Sequence, residues 1–426
     1  LSNNNKSVFY LNINAQNMNE NKNQKGLTLL ILVASLGYFV DVYDLVLFGV
    51  IRVPSLIGIG ITSDTDIAHY GKMLFNYQMW GMLAGGVFWG ILGDKKGRLS
   101  VLFGSIFLYS VANILNGMIT TVEQYKILRF IAGFGLAGEL GAGVTLVSES
   151  MSKEKRGYGT TIIASVGVIG AVVASGFAHK FDWRVNYYIG GGMGILLLFM
   201  RIGVAESGMF KQITQKENVS RGNILMLFRD MPTFTKYFSV ILVGIPIWYL
   251  ISSFVFFSKE MGQAMNMSEI PVPAKAIMFN YIGLCFGDIS SGLLSQYLKS
   301  RRKAILLFLI LSILSVVFYL TIGKQNITNF YIACTIIGFT AGYWAVFNIT
   351  ASEQFGTNLR ATVTTSVPNF VRGAVPLVNI IADGFKNGGN SYINSNLYVG
   401  VIVFALAFIA LLTLKDTFSK DLDYVE

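Results

Sequence analysis

Two carboxylates stand in the first long apolar run of the chain, in the string Gly37-Tyr38-Phe39-Val40-Asp41-Val42-Tyr43-Asp44. An acid at the depth of a hydrocarbon core is costly, so it faces a bundle interior or a wet cavity and belongs to an ion or solute path. Asp41 and Asp44 are three residues apart and share one face of a helix. Carboxylates placed in this way can take up and release protons; the plainer alternative is that they cap or brace helices near the membrane edge. A second charge of this kind is Arg372, in Pro368-Asn369-Phe370-Val371-Arg372-Gly373-Ala374-Val375-Pro376. No acid of the same run lies within one turn of it. Its guanidinium offers a fork that suits a carboxylate or phosphate. Two readings stand: Arg372 binds an anionic group of a solute, or it pairs with an acid on another helix such as Asp288.

The elements that must position these groups are helices. Of 426 residues, 53% are hydrophobic and only 13% charged, about half the charged share of soluble domains. Apolar runs of about 20 residues, the span of a bilayer core, recur along the whole chain. The expected fold class is therefore an all-α polytopic membrane protein. Twelve spans are predicted, near 27–51, 73–92, 99–119, 125–148, 158–179, 185–204, 236–257, 274–298, 303–323, 329–350, 361–384 and 396–414. Basic clusters recur in alternate loops: Lys95, Lys96 and Arg98; Lys153, Lys155 and Arg156; Lys211, Lys216, Arg221 and Arg229; Lys299, Arg301, Arg302 and Lys303. Single charges such as Arg52, Lys72, Lys180, Lys259 and Lys324 are assigned to the opposite loops. The positive-inside rule then places the basic loops and both termini in the cytoplasm. The net charge of +10 thus reflects topology and points to no nucleic-acid partner.

Residues 1–26, rich in Asn and Lys, read as a disordered cytoplasmic tail. The polar stretch from Glu206 to Lys236 divides the spans six and six. The expected domains are an N-terminal half at 27–204, a cytoplasmic linker at 205–235 with a short surface helix near Arg221–Arg229, a C-terminal half at 236–415 and a tail at 416–426. Two equal halves suggest transporter repeats, with the solute site at their interface near the midplane. Glycines at 81, 85, 86 and 90 and at 133, 135, 138, 141 and 143 allow close helix approach.

The loop after the second span reads Gly90-Ile91-Leu92-Gly93-Asp94-Lys95-Lys96-Gly97-Arg98. Gly93 and Gly97 permit a tight turn, and Asp94 can meet a helix N-terminus or a basic partner. This spacing closely resembles the signature loop of the major facilitator superfamily. The matching place in the second half, Gly292 to Arg302, resembles a decayed copy with Gln296 where the acid would stand. The fourth span begins Arg129-Phe130-Ile131-Ala132-Gly133-Phe134-Gly135 and continues Gly138-Glu139-Leu140-Gly141. It resembles a pattern of the sugar-porter and metabolite:proton symporter branches. The resemblance implies two six-helix halves that rock around a midplane cavity. It also implies that Arg129 pairs with Asp44 as a proton switch, with Asp41 and Glu139 as second candidates. At 1.5 Å rise per residue, Asp44 lies about 25 Å up an outward-going helix of about 35 Å, and Arg129 about 6 Å below the outer end of an inward-going one. The two levels agree. Asn369 and Arg372 match a stretch of the eleventh helix of organic-acid:proton symporters, with Pro368 in place of the usual aromatic.

Polar-handled side chains in the spans are further candidates for the solute pocket: Gln78, Trp248, Tyr249, Asn280, Tyr343 and Asn348. A buried N–H or O–H needs a partner. No nucleotide-binding loop, covalent catalytic set or metal cluster is visible, so neither an enzyme nor a cofactor is expected. The predicted function is proton-coupled symport of a small organic solute, above all a carboxylate, in a bacterial inner membrane. The expected partners are the solute, protons and membrane lipids, and the expected state is a monomer. The alternatives are a proline, betaine or amino-acid symporter and a non-transporting sensor on the same fold.

Overall fold

The computed structural model describes residues 32–96, 98–139, 156–206 and 224–418. The expected tail at 1–26, residues 27–31, Gly97, residues 140–155 with Gly141, Gly143, Lys153 and Lys155, linker residues 207–223 and residues 419–426 lie outside them. The described residues are helices joined by short turns, with no strand among them. The helices of the first half are α1 (Leu32–Gly58), α2 (Asp64–Lys96), α3 (Arg98–Asn116), α4 (Val122–Leu136), α5 (Arg156–Ala178) and α6 (Trp183–Glu206). A short 3-10 helix at Ile224–Phe228 falls within the expected surface-helix segment. Then come α7 (Met231–Leu250), running on as a π-helix over Ile251–Phe256, and the short α8 (Ser258–Ala264). The remainder are α9 (Pro273–Tyr297), α10 (Arg301–Thr321), α11 (Ile327–Ala341), α12 (Trp344–Glu353), α13 (Thr357–Gly373), α14 (Val375–Asn387) and α15 (Tyr392–Thr413).

Seven described helical stretches are long and apolar enough to cross a membrane. The other expected spans fall on α2, α3, α4, α5 and α13–α14. Three expectations change. The helix α2 runs unbroken through Lys96, so Gly93 sits inside it, against Val101, instead of forming a turn. The fourth, tenth and eleventh expected spans are each interrupted, at Ala137–Gly138, at Gly342–Tyr343 and at Ala374. Arg52 and Lys72, assigned to loops, are helical residues of α1 and α2.

The packing of α2 on α4 is repeated, in the same register, by α9 on α11. A Cβ on Gly81 would lie 2.1 Å from the Phe130 carbonyl oxygen, and one on Gly133 would lie 2.0 Å from that of Gln78. A Cβ on Gly283 would lie 2.0 Å from the Thr335 oxygen, and one on Gly338 would lie 1.9 Å from that of Asn280. Gly85 against Phe134 and Gly287 against Phe339 continue the match. A second repeated contact joins α1 to α6 and α7 to α15. Tyr43 donates to the Asn186 carbonyl at 3.2 Å, and Tyr249 to the Asn396 carbonyl at 2.7 Å. Gly190 and Gly400, each four residues further on, make room for those tyrosines. These glycines let backbones meet where any side chain would collide.

Across the two halves, the end that the charge rule predicts to face outward is laced shut. Arg52 of α1 donates to both oxygens of Glu260 in α8, at 2.6 and 2.8 Å. Lys259 and Gln263 of α8 reach Asp64 at the start of α2, at 2.8 and 2.9 Å. Lys72 of α2 pairs with Asp383 of α14, and Asn379 donates to Asn76. Burial opposes ionisation of Glu260, but the charge and hydrogen bonds of Arg52 outweigh it and hold the carboxyl below its usual range. Towards the opposite end, residues 415–418 fold back on the α9–α10 turn. Asp416 accepts from Ser300 and from the Arg301 amide, and Thr417 bonds Glu353.

Gly133→Ala should cost about 1–3 kcal/mol by overpacking, whereas Gly90→Ala, whose Cβ meets nothing within 4 Å, should be neutral or slightly stabilising. Thermal denaturation in detergent compares the two. A carboxyl with a lowered pKa contributes above its ordinary value and is lost only as pH falls through the lowered one. The Arg52–Glu260 pair should therefore hold this end shut from neutrality to about pH 5. Maleimide labelling of Asn76→Cys, in a chain lacking Cys285 and Cys334 and normalised at each pH to the reaction of a free thiol, should stay equally slow across that range.

Candidate functional site

Arg372 is 5% exposed and stands where α13 gives way to α14. Pro376, early in α14, has no N–H to return to the Arg372 carbonyl, so the helix breaks beside the guanidinium. The guanidinium carbon lies 5.3 Å from the Trp248 ring centre and 5.4 Å from that of Trp344. Trp344 reaches this place because α11 ends and α12 begins there. Asp288 of α9 accepts the Ala345 amide at 2.9 Å, and Ser291 donates to the Gly342 carbonyl at 2.7 Å. Those two bonds satisfy backbone groups freed by the break. They also occupy Asp288, which makes no ion pair with Arg372. Among the described residues Arg372 has no hydrogen-bond or ion-pair partner.

Arg372 lines a small cavity together with Tyr38, Asp41, Val42 and Leu45 of α1, Met82 of α2 and Leu136 of α4. Asp41 thus faces the same space as Arg372. Its two carboxylate oxygens are buried and have no hydrogen-bond partner. Glu139, Arg201, Asp44 and Arg372 all lie within electrostatic reach of it. Glu139 itself is held in a two-toothed ion pair by Arg201 of α6, one bond of which measures 2.9 Å. Gly37 leaves the room for that fork: a Cβ there would stand 2.3 Å from Arg201 Nη2.

Asp44 is 1% exposed and packs against Gly190 of α6. The expected direct pairing with Arg129 is not made in this conformation. Arg129 donates instead to Asn113 Oδ1 of α3 at 3.0 Å and, weakly, to Gln78 Oε1 at 3.4 Å. Its guanidinium is stacked over Tyr187 at 5.0 Å. Asn113 stands beside Asp44 as well, so a neutral amide lies between acid and base. The Asn113 Oδ1 is taken by Arg129, while its Nδ2 and both Asp44 oxygens remain without a hydrogen bond.

Of the other candidates for the pocket, Trp248 alone meets Arg372. Gln78 is fully buried among α1 and α4, with its amide on the Leu45 carbonyl. Tyr249 and Tyr343 spend their hydroxyls on the carbonyls of Asn396 and Val243. Asn280 ties α9 to α11 through the Cys334 carbonyl, and Asn348 bonds the Trp344 carbonyl one turn back. Asn369 crosses from α13 to the Ala137 carbonyl at 2.9 Å and seats against Gly86 of α2. In the signature loop, Gly90 and Gly93 are helical, Arg98 opens α3, and the side chains of Asp94 and Arg98 lie outside the described set. Tyr38, Asn113 and Arg201 are not among the sequence candidates, and Trp344 stands out there only as one aromatic of the tenth span. Arg201 hid at the inner end of a span, where arginine is ordinary; Tyr38 and Asn113 carried the only legible signal, polarity within an apolar run.

The family model of the Major Facilitator Superfamily matches residues 28–378. A protein of Bacillus subtilis provisionally named niacin/nicotinamide transporter NiaP is 23% identical over 360 residues, covering 80% of this chain and 84% of its own. The sialic acid transporter NanX of Escherichia coli is 29% identical over 200 residues, 46% of this chain and 47% of its own. The benzoate transport protein of Acinetobacter baylyi is 28% identical over 186 residues, 42% of this chain and 39% of its own. With the family model spanning most of its length and buried charges set around a cavity between its helices, this chain belongs to the Major Facilitator Superfamily and is a membrane transporter of small metabolites.

Proposed function

We propose that the chain carries a small organic anion, above all a monocarboxylate, together with protons by alternating access. The observation behind this reading is Arg372: a buried guanidinium between two tryptophan rings, unpaired among the described residues, on the wall of a cavity. An isolated buried charge is costly unless it gains a partner, and a fork of N–H donors suits a carboxylate. Niacin, sialic acid and benzoate, which appear in the names of the three relatives, all bear one. The basic loops and both termini are assigned to the cytoplasm, and the two six-helix halves, joined through the linker at 205–235, supply the two rocking bodies.

Proton coupling rests on Asp44 and Asp41. Desolvation favours the protonated acid and a nearby guanidinium favours the ionised one. A shift of helices that brings Arg129 onto Asp44, past Asn113, would expel the proton; a shift that withdraws it would draw one in. Protonation then biases the two states because each state binds the proton with different affinity. Asp41 shares the solute cavity, so an anion seated on Arg372 raises the cost of a second negative charge there.

Proteoliposomes with an imposed pH gradient, acid outside, test the reading. Benzoate, nicotinate and sialic acid should accumulate, and neutral nicotinamide should not. With Asp44→Asn, uphill accumulation should vanish while exchange of the same carboxylate persists; intact uphill uptake would remove Asp44 from the coupling site. Arg372→Ala should raise KM on the order of a hundredfold, the cost of stripping one partner from a buried charge pair. A second reading, transport of a zwitterion, is favoured by one observation: Asp41 and Arg372 line the same cavity. If proline or betaine accumulates and the three carboxylates do not, that reading replaces the first.

A further inference from the structure

The contact between Arg52 and Glu260 has the form of an occupied carboxylate site. Arg52 is 1% exposed, and its two terminal nitrogens each donate to one oxygen of Glu260. The guanidinium rests on the Phe257 ring, 4.8 Å from its centre. Gly71 of α2 gives it room, since a Cβ there would come within 2.6 Å of Nη1. The cation and the room made by Gly71 thus belong to α1 and α2, whereas the carboxylate and the Phe257 ring are brought from the other half at the start of α8. Lys72, next to Gly71, repeats the arrangement, its partner Asp383 coming from α14. Tyr392 of α15 lies near both pairs. The Lys259–Asp64 pair runs in the opposite sense and is exposed.

Arg52 also stands on the helix that lines the cavity. It is eleven residues above Asp41 on one helix, three turns to within about 20°, so both share a face of α1 about 16 Å apart. Any motion that parts α8 and α14 from α1 and α2 withdraws Glu260 and Asp383 together. It leaves Arg52 and Lys72 side by side on the wall of the opening, without their acids. Paired cations at the mouth of a low-dielectric cleft concentrate anions there.

We propose that Arg52 is a docking site for the carboxylate of the solute at the mouth of the path, and that Glu260 occupies it as an internal surrogate while this end is shut. The solute would exchange with Glu260 on Arg52 and then pass along α1 to Arg372. The same guanidinium would serve as latch in one state and as anion collector in the other. This inference rests on the anion reading given above.

The test separates the two roles of Arg52. Glu260→Gln removes the surrogate and keeps the docking cation; Arg52→Gln with Glu260→Gln removes both and leaves two neutral amides. Benzoate or nicotinate, whichever the wild-type protein carries faster, is the probe. KM is measured for uptake from the outer side in cells and from the inner side in inverted vesicles. The double variant should show an outer KM roughly tenfold above that of Glu260→Gln, the usual weight of a charge-assisted contact, with the inner KM of both alike. Equal outer KM values would reduce Arg52 to a latch and overturn the proposal while leaving the anion reading in place. Equal shifts on both sides would also overturn it, by placing the effect in the central cavity. If neither probe is carried by wild-type protein, the anion reading falls and the proposal with it. Should the double variant not reach the membrane, Arg52→Lys with Glu260→Gln keeps the charge and loses the fork; its outer KM should rise by a smaller factor, and no rise would count against the site.

Discussion

A charge taken out of water must be neutralised nearby, and that demand organises the interior of this transporter. Three arginines, at 129, 201 and 372, and three acids, at 41, 44 and 139, are buried among the described residues of the central bundle. Only Glu139 and Arg201 meet in a direct pair. The other four charges face amides, aromatic rings or the cavity. Such an arrangement is balanced in sum and unsatisfied in detail. A buried ion pair that is closed on every side contributes little beyond rigidity. One that is left open can be completed in more than one way, by a proton, by a solute or by a shifted helix.

The helix breaks serve the same end. Irregular backbone at membrane depth is tolerated where it lines a cavity or is buried in protein. The interruptions at Gly342–Tyr343 and at Ala374 present Trp344 and Arg372, and the π-helical turn after Leu250 leads straight into the segment that carries Phe257 and Glu260. In the first half α4 stops at Leu136, on the cavity wall, and a turn at Ala137–Gly138 precedes Glu139, with the Asn369 amide on the Ala137 carbonyl. Asp41 and Asp44 come from the unbroken α1, whereas Glu139, Trp344 and Arg372 each stand beside an interruption.

Hydropathy and loop charge made the helical class, the twelve expected spans and the acids of α1 legible, because burial of a charge in an apolar run is visible one residue at a time. Asp41 and Arg372, each visible as a charge within an apolar run, line one cavity. The breaks were not legible. Pro376 was in view, but whether a proline kinks a helix or merely sits in it depends on neighbours that accept the freed carbonyl. The partner choices of Gln78, Asn280, Tyr249 and Tyr343 were equally hidden, since a polar handle in a span serves a pocket or a neighbouring backbone with the same residue type. Glycine spacing showed where helices could approach and did not separate Gly133, pressed on a carbonyl, from Gly90, which touches nothing.

The matched register of α2 on α4 and of α9 on α11 carries a meaning beyond packing. Set on that register, Arg129 falls opposite Cys334, and Gln78 opposite Asn280; set on the tyrosine contact, Asp44 falls opposite Leu250. The molecule thus holds two prints of one scaffold; at these matched positions the first half bears charges and the second does not, and the second half carries its own charges elsewhere, at Asp288 and Arg372. A framework that survives intact when its charges are erased is indifferent to the cargo it serves. Within such a duplication the hinge work and the chemistry are separable inheritances, and new solutes can be acquired by rewriting a few cavity residues while the rocking surfaces stay as they are.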